Sequence, residues 1–185
     1  MRTPTNVRFT LGLGLCLLMG LTRSGLFGSH ANASWAVFFL GGAFLHGMGA
    51  FAVLCGLAGV IDLAVLFRDG SSVCMSPAYV FLIPAYGVLW IAGRWAGFAQ
   101  RGQLLRIPLA MVLGTAGAFA ITSGSYFALS KYYATTTLES FVMQVAPELP
   151  QYLLTSALYV SAGYALAAAV RTARLAVAER AHDAR

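Results

Sequence analysis

The chain has 185 residues, of which 59% are hydrophobic and only 10% charged, too little polar surface to cover an ordinary soluble domain. A net charge of +6 would suit a nucleic-acid partner in a soluble protein, but nearly every basic residue here flanks an apolar stretch, where the positive-inside rule accounts for it. Composition thus excludes a soluble domain, argues against nucleic acid and implies one polytopic domain over residues 1–185, with the lipid bilayer as its first partner.

The first apolar stretch covers residues 9–28 and is interrupted only by Arg23. Arg2 and Arg8 before it and Ala31-Asn32-Ala33 after it have the layout of a secretion signal, but the apolar run through Leu26-Phe27-Gly28 suits a membrane helix better. Residues 35–67 follow with a single formal charge, Asp62. As one helix they would reach about 50 Å, too long for a ~30 Å hydrocarbon core. A break at Gly47-Met48-Gly49 resolves this into two helices, because paired glycines weaken a helix and supply a turn. Residues 78–99, 107–129 and 150–170 are each long enough to span.

The expected fold is therefore all-α, a six-transmembrane-helix bundle with two of the helices short. With both termini cytoplasmic, nine basic residues (Arg2, Arg8, Arg94, Arg101, Arg106, Arg171, Arg174, Arg180 and Arg185) lie inside and three (Arg23, Arg68 and Lys131) outside. A five-span arrangement with the N-terminus outside gives eight against four. Both arrangements turn residues 68–76 and 131–149 outward and residues 100–102 toward the cytoplasm.

Close helix packing in lipid depends on small residues repeated every four positions. Four such seams occur: Ala110, Gly114, Ala118 and Thr122; Ala157, Ser161, Ala165 and Ala169; Gly12, Cys16 and Gly20; Gly93 and Gly97. No nucleotide-binding loop is present, so no nucleotide cofactor is expected.

Chemistry concentrates on the outward side. Cys16 and Cys55 fall within apolar segments, with neither CxxC nor zinc spacing. Cys74 instead stands in the polar stretch Arg68-Asp-Gly-Ser-Ser-Val-Cys-Met-Ser76, where an accessible thiol suits a soft metal. Asp62 lies roughly 7–8 Å below the outer end of its helix, a depth at which an acid needs a partner. Arg68, Tyr79 and Lys131 are the alternatives. Tyr79, Ile83, Tyr86 and Trp90 follow helical spacing, and Tyr126, Tyr132, Tyr133, Phe141 and Tyr152 gather near the same side. Together they suit a wall for a large, flat, amphipathic ligand. His30 and His46 have no companions and read as structural, while Arg94 and Trp95 fit anchoring at the inner interface.

The stretch Cys74-Met-Ser-Pro-Ala-Tyr-Val-Phe-Leu-Ile-Pro-Ala-Tyr-Gly-Val-Leu-Trp-Ile-Ala-Gly-Arg-Trp95 resembles the BtuM family of solitary vitamin B12 transporters of Gram-negative bacteria. These are similar to the S components of energy-coupling-factor transporters. Residues 32–42 and 122–133 extend the resemblance over most of the chain. It implies a six-helix inner-membrane bundle that binds cobalamin from the periplasm, with Cys74 as axial ligand to cobalt and with Asp62 and Tyr79 near the corrin. It also implies removal of cyanide from cyanocobalamin through the cysteine. No arginine stands in the fifth or sixth outward region, where Lys131 is the only cation. Two other readings keep the helices and change the role: an S component for another vitamin, working with an ATP-driven energising module, and a structural membrane protein with no small ligand.

Overall fold

The computed structural model describes residues 5–24, 32–45, 47–69, 77–97, 105–130, 133 and 135–183, with the side chains of 5–8, 69 and 174–183 left aside. Regular structure among these residues is entirely helical. The α-helices are α1 (Thr5–Arg23), α2 (Ser34–Phe44), α3 (Met48–Asp69), α4 (Leu82–Ala96), α5 (Arg106–Leu129), α6 (Leu138–Val145) and α7 (Leu149–Asp183). Short 3-10 turns at Pro77–Phe81 and Ala146–Glu148 lead into α4 and α7.

Four helical stretches are long and apolar enough to cross a bilayer: Met48–Arg68, Pro77–Ala96, Arg106–Leu129 and Leu138–Ala173. Their surfaces agree with that role, since Val53, Val60 and Phe67 on α3 and Leu154, Leu158 and Leu166 on α7 expose apolar side chains that would be costly in water. The break inside residues 35–67 falls between Phe44 and Met48, at Gly47, whereas Gly49 already lies in the first turn of α3. Only one of the resulting helices is short. α3 has 22 residues, whereas α2 has 11 and reaches about 16 Å, half the hydrocarbon thickness.

α2 is the centre of the molecule. Ten of its residues are buried, from Ser34 through Phe44 with only Trp35 half-exposed, so it is apolar on every face as a core helix must be. It packs most extensively on α4 and also touches α1, α3, α5 and α7. The crossing with α4 brings backbone against backbone: a Cβ at Gly42 would collide with the Trp90 carbonyl, and one at Gly93 with the Phe39 carbonyl. Both glycines are needed for that approach.

The small-residue seams separate into two kinds. Ala110, Gly114 and Ala118 are buried against α4, where Gly114 leaves only 2.8 Å between a hypothetical Cβ and Ala92. Gly97 ends α4 at φ +48°, a conformation that favours glycine. Gly12, Cys16 and Gly20 are half-buried, and α1 packs instead through Leu15 and Met19. The α7 seam turns the other way: Ala157 is half-buried, but Ser161, Ala165 and Ala169 are exposed. Ser156, Val160 and Gly163 form the inner face, with Gly163 set against Leu40. Spacing of four marks a stripe on a helix but not the direction in which it faces.

α7 also runs beyond residue 170 to Asp183, since nothing in the Ala- and Arg-rich sequence breaks the helix there. The stretch 131–149 contains α6, whose N-cap Thr137 accepts a hydrogen bond from Ser140 N at 3.3 Å.

Candidate functional site

One end of the bundle gathers the C-terminal ends of α1 and α3 and the N-terminal ends of α2, α4 and α7. Thr22 Oγ1 accepts from Ala33 N at 3.1 Å and donates to Leu18 O at 2.8 Å, joining the end of α1 to the start of α2. Asn32 Oδ1 in turn accepts from Ser34 N at 3.0 Å and Ser34 Oγ at 2.6 Å. Trp35 stacks on Tyr152 with ring centroids 4.6 Å apart, bringing in the start of α7.

Within this frame the partner of Asp62 is Arg23. Its Nε and Nη2 donate to the two carboxylate oxygens, each at 2.6 Å, the two-pronged geometry that suits a guanidinium. Nη1 donates to Ser34 Oγ at 2.9 Å and to Tyr86 Oη at 2.8 Å. Tyr79 Oη donates to Asp62 Oδ2. The Arg23 and Asp62 side chains are 9% and 21% exposed, so the pair is largely withdrawn from solvent yet open on the Asp62 side. Of the three partners considered for Asp62, Tyr79 is present as a hydrogen-bond donor. Arg68 turns instead toward α1 and donates to Ser24 O at 3.3 Å. Lys131 lies outside the described residues.

Arg23 is the residue of this site that sequence reading overlooked, having been counted only as an outward flanking charge. A signal did exist. Arg23 and Asp62 are opposite charges, each isolated in an apolar run and each near the same end, and isolated intramembrane charges seek one another.

Tyr86 is buried, its ring stacked on Phe38 at 4.0 Å and 9° and its hydroxyl taken up by Arg23. Tyr126 and Tyr133 belong to a second aromatic group. Tyr133 lies 5.7 Å from Tyr126 and 4.9 Å from Phe141, and Phe141 packs 4.7 Å from Phe127. Cys74, Tyr132, His30 and His46 lie outside the described residues. The two described cysteines, Cys16 and Cys55, are half-buried free thiols within α1 and α3. At the opposite end Arg106 lies over the exposed Trp95 ring at 5.1 Å, in keeping with anchoring.

Chemically, the arrangement offers a neutralised ion pair with a tyrosine hydroxyl at its open side. An ionised carboxylate has about four lone-pair positions; Arg23 takes two here and Tyr79 a third. Asp62 is therefore mainly a device that holds its neighbours. No protein-family model matches the chain, and no curated protein matches it.

Proposed function

We propose that this protein binds cobalamin in the bacterial inner membrane and takes it up, with Cys74 as the axial ligand to cobalt. The bundle helices are then α1, α2, α3, α4, α5 and α7, six as in an S component, with α6 an outer-loop helix and both termini cytoplasmic. The observation that carries the reading is the Asp62–Tyr79 hydrogen bond. These two residues, the ones that the BtuM resemblance sets beside a corrin, lie on the elements leading into and out of residues 70–76, the stretch that includes Cys74.

The chemistry follows from the donor. A thiolate is a soft, strongly electron-donating ligand, and cobalt in a corrin offers two axial positions. Sulfur bound at one of them lends an electron pair and labilises the group opposite. In cyanocobalamin that group is cyanide, which leaves as the anion with its bonding pair, so cobalt keeps its oxidation state. Coordination holds the sulfur deprotonated at neutral pH. Tyr126, Phe127 and Tyr133, half-buried around Phe141, supply apolar surface for a flat ring, and a partner energising module is compatible with the reading without being required by it.

The test is retention of cobalamin by the purified protein, followed by its absorption spectrum. A stoichiometric bound corrin with a cobalt–thiolate spectrum supports the proposal. Washing free of corrin overturns it, and retention of a compound without cobalt favours an S component for another vitamin.

A further inference from the structure

The ion pair has a consequence for what the mouth of the bundle recognises. A tyrosine hydroxyl has one proton to donate and two lone pairs with which to accept. In this structure the proton of Tyr79 is committed to Asp62 Oδ2. That commitment is stable because the carboxylate is held from behind by both prongs of Arg23, whose remaining nitrogen is fixed by Ser34 and Tyr86. Among the described residues no donor reaches the Tyr79 oxygen, and the side chain is only half-buried. Arg23 and Asp62 also cancel each other's charge, so the pair presents no free cation to an anionic group.

We propose that Asp62, held in place by Arg23, sets Tyr79 as a hydrogen-bond acceptor, so that the Tyr79 oxygen selects ligand groups with N–H donors, carboxamides before carboxylates. Asp62 is a positioning residue in this scheme, and Tyr79 is the group that meets the ligand. A carboxamide presents two N–H donors to the waiting phenolic oxygen. A carboxylate presents lone pairs to a lone pair and gains nothing from this oxygen. The inference rests on the cobalamin reading, because a corrin carries several peripheral carboxamides, and it deepens that reading by naming the group recognised.

The experiment compares cobalamin with the set of its peripheral monocarboxylic acids, in which one carboxamide is replaced by a carboxyl, by equilibrium titration of the purified full-length protein at neutral pH. Wild type should bind cobalamin about tenfold more tightly than at least one of the acids, the effect of a single hydrogen bond. Tyr79→Phe should lose that preference while keeping its melting temperature within a few degrees. Asp62→Ala should also lose it, because a Tyr79 hydroxyl left without its acceptor can donate to a carboxylate, and Asp62→Glu should restore part of it. A purely structural role for Asp62 would lower the affinity for amide and acid alike. Equal binding of cobalamin and every acid by wild type overturns the inference alone, as does a preference that survives in Tyr79→Phe. Failure of wild type to bind cobalamin at all overturns the cobalamin reading and this inference with it.

Discussion

Arg23 and Asp62, 39 residues apart in sequence, meet as a two-pronged ion pair that ties the end of α1 to α3. Removing one partner leaves the other charge without compensation in a largely dry setting. Asp62 retains some exposure, which moderates the cost. Arg23→Ala or Asp62→Ala should therefore destabilise the protein by about 2–3 kcal/mol. The neutral double variant Arg23→Met/Asp62→Asn should recover part of that loss. Thermal melting in detergent checks both, and a double variant no better than the sum of the singles would deny the pairing.

Two glycines on one helix should behave oppositely. Gly93 sits against the Phe39 backbone, so Gly93→Ala must push α2 and α4 apart, at a cost of about 2–3 kcal/mol or more. Around Gly87 there is open space, so Gly87→Ala should be neutral or gain up to about 1 kcal/mol from helix propensity. The measurement is the melting temperature and yield of folded protein for each. Equal effects would contradict the close crossing of α2 and α4.

The contrast shows where sequence is informative. The break near Gly47 was legible because a 33-residue apolar run cannot cross the bilayer once, and the run of Ala110, Gly114 and Ala118 was legible because small residues permit close approach. The outward face of Ser161, Ala165 and Ala169 was not, since a lipid-facing stripe tolerates small residues too. For Asp62, depth alone said that a partner must exist. Choosing Arg23 over Arg68 required knowing that the end of α1 returns beside α3, and no local pattern carries that long-range fact.

The short helix α6 should be separable from the bundle. Phe141 is 3% exposed and packs on Phe127 and Tyr133, so Phe141→Ala should cost about 3 kcal/mol locally. Thr137→Ala, which removes only a cap, should cost about 1 kcal/mol. Hydrogen exchange of residues 138–145 should accelerate in both variants and more in the first. Unchanged exchange would place the docking of α6 elsewhere.

The three cysteines offer a test of orientation. Cys16 and Cys55 are half-buried within helices, while the proposal turns residue 74 toward the periplasm. A membrane-impermeant maleimide added to intact spheroplasts should label wild type, and Cys74→Ser should remove most of the label. Labelling that requires disrupted membranes would put this thiol on the cytoplasmic side and contradict the proposed topology.

Contact between sulfur and cobalt is tested most directly by the absorption spectrum of purified protein saturated with cobalamin, recorded for wild type, Cys74→Ala and Cys74→Ser. The account predicts that wild type shifts the corrin bands to those of a thiolate-ligated cobalt. In both variants those bands should be absent, with cyanide retained by cyanocobalamin. Identical spectra in all three proteins would contradict the account.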